Sequence, residues 1–216
     1  MVGMTIAPLR NQGSTGDSPG RWPGAPDEEL WFGRSLDACA LFGRRVPLEV
    51  EIGSGKARFL IASARANPDH NFLGVERALA YYRLCRDRIA RQGPDNAKIV
   101  RADGRVFVET ALAPASVRGF HIYFPDPWPK KKQKKRRLLD GVFLELLASR
   151  LEPGGTLRIA TDHPDYGSRL SPLLETVGAF ERLPWDAFPL PPPTNYALKY
   201  AQQGRPIWQF LARRTN

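Results

Sequence analysis

Residues 48–55 read Leu-Glu-Val-Glu-Ile-Gly-Ser-Gly, a strand-like run that ends in two glycines. Residues 59–66 follow with the pattern of a helix. A strand, a glycine-containing turn and a helix in this order let a backbone approach a nucleotide closely. Arg58 stands where the dinucleotide fingerprint has its third glycine, which disfavours a nicotinamide or flavin cofactor. Taken alone, Gly53 and Gly55 are also compatible with a plain tight turn.

Strand-like and helix-like runs continue to alternate along the chain. Such a βαβ series implies an α/β fold with a mostly parallel sheet, helices on both faces, and ligands at the carboxyl ends of the strands. Residues 180–183 and 206–211 are predicted to add an antiparallel pair at one edge. The last predicted helix is expected to end at Pro153-Gly154-Gly155. The predicted strands of the series are 48–52, 71–76, 97–103, 119–124 and 155–161, and the predicted helices are 59–66, 78–92 and 138–151.

The composition indicates one globular domain with a localised basic charge. The chain has 216 residues, 42% of them hydrophobic, which is enough for one domain with a substantial core. Residues 1–27 are rich in Gly, Pro, Ser and Thr and are predicted to form a flexible tail before a single domain at 28–216. The net charge is +10, and without the seven basic residues at 130–137 it would be +3. This distribution favours a localised anionic partner.

The cysteines and the apolar runs predict a protein of the reducing cytoplasm. Cys39 and Cys85 are the only cysteines and have no metal-type spacing, so neither a disulfide framework nor a metal site is expected. No apolar run approaches the roughly 18 residues that span a bilayer, and the N-terminus lacks the order of a secretion signal. We therefore expect a soluble, cytoplasmic protein that uses no metal.

Residues 124–137 read Phe-Pro-Asp-Pro-Trp-Pro-Lys-Lys-Lys-Gln-Lys-Lys-Arg-Arg and form the most distinctive loop of the chain. The prolines predict a stiff, extended segment around Asp126 and Trp128, at the end of a buried strand. A lone carboxylate on such a loop is a candidate for the reacting centre. Trp128 is either a stacking surface for a base or a core residue that covers the sheet edge. The basic residues suit a polyanion, although a solvated charge run or a nuclear localisation signal has the same composition.

Three further acidic residues are predicted at the ends of successive strands: Glu51, Glu76 and Asp103. An acid after the second strand can accept hydrogen bonds from ribose hydroxyls, and a group after the third can meet an adenine edge. Each acid alone is compatible with a solvated strand end. Their occurrence at three successive strands indicates a nucleotide site, because the carboxyl ends of parallel strands meet at one edge of the sheet.

The chain therefore carries a series of short motifs at its predicted strand ends and in the loop after the fourth strand. They are Glu51-x-Gly53-x-Gly55, Gly74-Val-Glu76, Ala102-Asp103, Pro125-Asp126-Pro127-Trp128 with Lys130-Lys131 and Lys135-Arg136-Arg137, and Thr161-Asp162 with Tyr166. This series resembles the tRNA (guanine-N7)-methyltransferase family over residues 31–208. The resemblance implies a Rossmann-like class I methyltransferase fold, S-adenosylmethionine as the methyl donor, and N7 of a guanine in the tRNA variable loop as the acceptor.

The resemblance also implies three groups of site residues, with Asp126 at the reacting centre. Because N7 of neutral guanine needs no general base and gains positive charge in the reaction, we expect Asp126 to act electrostatically and to orient the base. The residues implied for the cofactor are Glu51, Gly53, Gly55, Glu76, Arg77, Asp103, Gly104 and Asp126. Those implied for the substrate guanosine are Lys130, Asp162, Thr194, Asn195, Tyr196 and Ala197. Those implied for RNA are Lys132, Gln133, Lys134, Lys135, Arg136 and Arg137. His70, His121 and His163 are expected to be structural, because no Cys or Ser nucleophile pattern accompanies them.

Two departures from the family pattern stand out, of which the small residue Ala57 is expected to be tolerated and Ala197 bears on guanine recognition. Ala57 replaces a glycine that the family often has, and Ala197 stands where the pattern Thr-x-Phe/Tyr-Glu has its glutamate. The missing carboxylate leaves a second hypothesis open, a non-catalytic or weakly active RNA-binding relative. A nucleotide-dependent oxidoreductase is a third hypothesis, which Arg58 disfavours.

Overall fold

The structure is a computed structural model that describes residues 30, 31 and 33–215. The predicted flexible tail at residues 1–27 lies outside the described residues, so the domain boundary at residue 28 stays a prediction. No helix in the described part of the chain is both long and apolar enough to cross a lipid bilayer.

Within the described residues the chain forms one seven-stranded sheet, in the order β3-β2-β1-β4-β5-β7-β6. The pairs from β3 to β5 are parallel, and β7 pairs antiparallel with both β5 and β6. The predicted α/β fold with a parallel sheet and an antiparallel edge is therefore confirmed. The strands are β1 Leu48–Ile52, β2 Asn71–Glu76, β3 Ala97–Arg101, β4 Val117–Tyr123, β5 Leu151–Thr161, β6 Phe180–Leu183 and β7 Trp208–Arg214.

The helices include the predicted ones and several that the periodicity did not predict. The helices are α1 Ala38–Phe42, α2 Arg58–Ala66, α3 Leu79–Gln92, α4 Gly104–Thr110, α5 Gly141–Arg150, α6 Pro164–Thr176 and α7 Asn195–Gln202, with a 3-10 helix at Lys131–Arg136. Of these, α1, α4, α6 and α7 were not predicted. The first two are short, and α6 contains Gly167 and Pro172, which interrupt a helical pattern.

Apolar side chains cover both faces of the sheet. Phe72 and Leu73 are consecutive on β2 and therefore point to opposite faces. Leu73 belongs to the large core cluster, whereas Phe72 packs with Leu60 of α2 and Cys85 of α3 in a second cluster. The prediction of helices on both faces is therefore confirmed.

The end of α5 differs from the prediction. The helix ends at Arg150, and the chain enters β5 directly instead of ending the helix at Pro153-Gly154-Gly155. Val117 on β4 pairs with Leu151, but Gly119 pairs with Thr156, so four residues of β5 bulge out between the two pairs. Proline and glycine are tolerated at such a bulge because it leaves the ladder hydrogen bonds unmade.

A partly buried polar cluster links β1 to β4. The two carboxylate oxygens of Glu49 lie 3.1 Å from Nδ1 of His70 and 2.9 Å from Nε2 of His121. Burial alone would raise the pKa of Glu49, but the hydrogen bonds and charges of the two histidines lower it to about 2. Nδ1 of His121 lies 3.0 Å from the Tyr123 hydroxyl. Both imidazoles are thus held by partners within the protein, as structural histidines are.

Candidate functional site

The loops that follow the first five strands lie at one edge of the sheet, because these strands are parallel neighbours. The glycine-containing loop follows β1, and Glu76 is the last residue of β2. Asp103 follows β3, Asp126 follows β4 and Asp162 follows β5. The topology thus brings the predicted acidic residues to one edge of the sheet.

The loop after β1 has three residues with left-handed backbone: φ is 86° at Gly53, 53° at Gly55 and 56° at Ala57. A methyl group on Gly53 or Gly55 would meet no atom of the described residues within 4 Å, so the conformation and not crowding favours glycine there. The open space beside the two glycines leaves room for a ligand. Ala57 is fully buried, and its left-handed φ carries a cost of roughly 1–2 kcal/mol that a glycine would avoid.

Glu51 is a buried carboxyl group directly before this loop, with 4% of its surface exposed. Its Oε2 has no hydrogen-bond partner within the described part of the chain. Burial raises the pKa of Glu51 to about 8. A buried acid with an unpartnered oxygen is costly, and a ligand that brings a cation or a donor would offset that cost.

Glu76 shapes the same loop through its carboxylate. Its Oε2 accepts from the Gly55 N–H at 3.0 Å, and its Oε1 accepts from the Ala78 N–H at 2.8 Å. These bonds join the glycine-containing loop to the residue before α3. A carboxylate offers about four acceptor positions, so two remain for ligand hydroxyls.

Asp103 and Gly104 have structural roles that the sequence did not predict. Oδ1 of Asp103 caps α4, accepting from the N–H groups of Arg105 at 3.1 Å and Val106 at 3.3 Å. Its Oδ2 lies 3.4 Å from Nη1 of Arg77, whose side chain is 78% exposed. A side chain at Gly104 would collide with Ile52 at the end of β1. Asp103 is therefore held firmly beside the loop of β1.

The loop that carries Asp126 differs from the predicted extended segment. Phe124 has φ of 53° and Trp128 has φ of 41°, although each precedes a proline. Positive φ is unusual for bulky residues and is tolerated where other contacts impose it. The Phe124 N–H continues the ladder to the Ala160 carbonyl at 2.7 Å, while its ring packs against α7. Asp126 itself is exposed.

Trp128 is neither in the core nor an unobstructed stacking surface. Its side chain is half-buried, and the Arg136 guanidinium lies 5.1 Å from its ring centroid. The alternative of a core tryptophan is therefore wrong. A base could reach only the part of the ring that Arg136 leaves uncovered.

Helix α7 is held at the site by aromatic rings. The ring of Phe124 lies 5.9 Å from Tyr196 and 5.4 Å from Tyr200, and the two tyrosines are 5.8 Å apart. None of the residues from Asn195 to Gln202 is buried. Burial and the nearby Tyr81, Tyr200, Asp126 and Glu76 raise the pKa of Tyr196. The helix thus packs against the loop that carries Asp126.

The predicted segment at residues 194–197 forms the start of α7. Oγ1 of Thr194 accepts from the Ala197 N–H at 3.0 Å, so Thr194 is the N-cap and Ala197 occupies position N3. In a capping box, a glutamate at N3 bonds back to the N–H of the N-cap residue. The departure at Ala197 therefore removes a helix-capping group as well as a carboxylate near the site.

Asp162 has a partner that the sequence did not reveal. Nη1 of Arg205 lies 3.0 Å from its Oδ2, and the Asp162 side chain is 19% exposed. The same guanidinium lies 4.9 Å from the ring centroid of Tyr200. Arg205 therefore joins the end of β5 to α7, and no motif in the sequence points to it.

The basic run forms a 3-10 helix whose side chains have different environments. Lys130, Lys131, Lys132, Lys135 and Arg136 are exposed, and Gln133 and Lys134 are half-buried. Nζ of Lys134 lies 2.7 Å from Asp165 on α6.

Arg137, which was predicted to contact RNA, is buried. Its residue surface is only 3% exposed, because the side chain lies between the loop of Asp126 and α6. A guanidinium in this position cannot reach a phosphate without leaving its partners. The sequence carried one signal that bears on this arrangement. Pro164-Asp165 is typical of the first turn of a helix, and Asp165 is the acid that pairs with Arg137.

Solved structures with a similar fold include two methyltransferases. The aminoglycoside resistance methyltransferase NpmB1 is 17% identical, with a TM-score of 0.54 over 78% of this chain and 87% of its own. The 16S rRNA methyltransferase KamB is 14% identical, with a TM-score of 0.55 over 81% and 90%. At this identity the likeness concerns the fold alone.

Similarity to curated proteins is higher and covers most of the chain. The tRNA (guanine-N(7)-)-methyltransferase of Bordetella pertussis is 40% identical over 203 residues, 90% of this chain and 76% of that protein. The enzyme of the same name from Thiobacillus denitrificans is 34% identical over 182 residues, 83% and 80%. A family model described as a putative methyltransferase matches residues 45–210. With these relatives and this edge of strand-end acids, the chain belongs to the tRNA (guanine-N7)-methyltransferase family.

Proposed function

We propose that this protein transfers a methyl group from S-adenosylmethionine to N7 of a guanine in the variable loop of tRNA. The products are N7-methylguanosine and S-adenosylhomocysteine. The observation that carries the proposal is the buried Glu51 carboxyl with its unpartnered oxygen, next to an open glycine-containing loop. The relatives from Bordetella pertussis and Thiobacillus denitrificans are both named tRNA (guanine-N(7)-)-methyltransferase, which supports the same reaction here.

The residues at the sheet edge fit this cofactor. The unpartnered oxygen of Glu51 suits the ammonium of the methionine part, which would favour the charged carboxylate. The free acceptor positions of Glu76 suit ribose hydroxyls. Asp103 lies beside the next strand, where the adenine edge is expected. When bound, S-adenosylmethionine supplies a methyl group activated by a sulfonium.

The chain has to orient the acceptor base and stabilise charge. N7 of neutral guanine carries a free lone pair, so no general base is required at that atom. As the new bond forms, positive charge enters the purine, and the exposed carboxylate of Asp126 stabilises that charge more in the transition state than before it. Holding the reacting atoms in line contributes several kcal/mol more.

Substrate contacts are proposed on both sides of Asp126. Lys130 follows Asp126 in the same loop, Asp162 follows the neighbouring strand β5, and Tyr196 at the start of α7 lies against the ring of Phe124, two residues before Asp126. The exposed cations of the 3-10 helix would hold phosphates, which position RNA without reading its sequence. Those among the residues predicted to contact RNA are Lys132, Lys135 and Arg136.

Incubation of the protein with labelled S-adenosylmethionine and unmodified tRNA tests the proposal. We expect label in N7-methylguanine, mapped to the variable loop by chemical cleavage at that base. Label at another base or loop would contradict the acceptor. Binding of tRNA without transfer would favour the non-catalytic relative that Ala197 suggested.

A further inference from the structure

Arg137 is the one residue of the run at 130–137 whose side chain is buried. Its guanidinium has three partners. Nε donates to the Pro127 carbonyl at 2.8 Å, and Nη2 lies 2.6 Å from Oδ2 of Asp165. The guanidinium carbon lies 4.6 Å from the ring centroid of Tyr166. Arg137 thus connects the residue after Asp126 to helix α6.

The partners of Arg137 are themselves held in place. Tyr166 is fully buried, and its hydroxyl accepts from the Leu139 N–H at 3.0 Å. The other carboxylate oxygen of Asp165 lies 2.7 Å from Nζ of Lys134. Hydrogen bonds from Lys134 and Arg137 lower the pKa of Asp165 to about 2. The Asp165 carboxylate therefore stays charged, and Arg137 keeps its counter-ion over the whole physiological pH range.

We infer that Arg137 is a positioning residue that fixes the loop of Asp126 through the Pro127 carbonyl, and that it makes no contact with RNA. This inference rests on the proposed function. The proline on each side of Asp126 leaves the loop few ways to relax, so a bond to Pro127 determines where the carboxylate lies. The same residue ends the 3-10 helix, so Arg137 also sets the position of the exposed lysines relative to the reacting centre.

The chemistry requires arginine at this position. A guanidinium is planar and presents donors in several fixed directions, so it can bond a carbonyl and a carboxylate while it stacks on a ring. A lysine keeps the charge but offers one compact group on a flexible stem. Arg137→Lys therefore separates the two possible roles: a phosphate contact needs mainly the charge, whereas the anchor needs the geometry.

Steady-state kinetics with tRNA provide the test. We expect Arg137→Lys to lower kcat by about 10- to 100-fold, the loss typical of a misplacement near 1 Å, and to change KM for tRNA by less than about twofold. Asp165→Asn should also lower kcat, because it removes the charged partner of Arg137. The double variant Lys132→Gln, Lys135→Gln should show the opposite split, with KM raised and kcat kept. Arg213→Gln, which breaks an exposed ion pair with Glu181 far along the chain, is the control and should change neither parameter.

Limited trypsin digestion provides a second measurement, the rate of cleavage in the run at 130–137, that does not depend on methyl transfer. Without its anchor, the run at 130–137 should be cleaved at least several times faster in Arg137→Lys than in the wild type, with thermal unfolding monitored alongside. If Arg137→Lys keeps kcat, raises KM and is cleaved at the wild-type rate, Arg137 is a phosphate contact and the inference is wrong. If Arg137→Lys does not fold, Asp165→Asn decides by the same measurements. An inactive wild type would refute the proposed function, while the digestion would still decide whether Arg137 anchors the loop.

Discussion

The buried carboxyl of Glu51 predicts a proton linkage in cofactor binding. Burial raises its pKa to about 8 in the free protein, so the group is mostly neutral at pH 7. If its unpartnered oxygen holds the cofactor ammonium, the bound state requires the charged carboxylate and its pKa falls well below 7. Binding should therefore release a proton, and affinity should rise with pH until Glu51 is ionised in the free protein.

The size of the change in Kd with pH follows from the fraction of free protein in which Glu51 is ionised. With a pKa of about 8, about one Glu51 in eleven is ionised at pH 7 and about one in a hundred at pH 6. The apparent Kd should therefore rise by about tenfold between pH 7 and pH 6. Glu51→Gln keeps the shape and removes the charge, so it should bind more weakly at high pH and lose this part of the pH dependence.

Isothermal titration calorimetry measures both quantities. Titrations with S-adenosylhomocysteine at pH 6, 7 and 8, in buffers of different ionisation enthalpy, give Kd and the number of protons released. The wild type should release close to one more proton at pH 7 than Glu51→Gln does. Equal proton release and equal pH dependence in the two proteins would refute the assignment of Glu51 to the ammonium.

Four further predictions follow from the geometry. Asp126→Asn should fold normally and lose about 100- to 1,000-fold in the single-turnover rate of transfer, since it removes the charge beside the purine; a near-wild-type rate would contradict that role. Lys132→Gln with Lys135→Gln should flatten the salt dependence of tRNA binding by roughly 0.7–0.9 log units for each phosphate that is no longer neutralised, whereas an unaltered slope would mean that these lysines only face solvent. Ala197→Glu should raise kcat/KM for tRNA and the Tm by supplying a capping box, and an unchanged or lower kcat/KM would show that another acceptor suffices. Because folding lowers the pKa of Glu49 from 4.5 to about 2, its contribution to the free energy of unfolding is complete above pH 4.5 and disappears as the pH falls toward 2. Urea unfolding across that pH range should show that the free energy of unfolding falls less with decreasing pH in Glu49→Gln than in the wild type. An equal decline in the two proteins would contradict this contribution of Glu49.

Local pattern was sufficient to predict the central strands, the antiparallel edge and three of the helices, α2, α3 and α5. Strand alternation, helical periodicity and breaks at Gly or Pro depend on residues only a few positions apart. The prediction failed where a contact overrode the local preference. Pro153 and Gly154 were expected to end a helix but lie in a bulge of β5, because pairing with β4 resumes beyond them. The left-handed φ of Phe124 accompanies ring contacts with α7, although the following proline predicted extended backbone.

The acidic edge of the site was predictable because parallel strands end side by side. The roles of individual cations were not, because burial and pairing depend on segments far apart in the chain. Arg136 and Arg137 are neighbours of the same type, yet only Arg137 meets Asp165, 28 residues further on, and becomes buried. Arg205 reaches Asp162 across 43 residues by way of a helix that the periodicity did not predict. A side chain's type shows what it can bind, but only the packing of distant segments decides whether it faces a ligand or the protein.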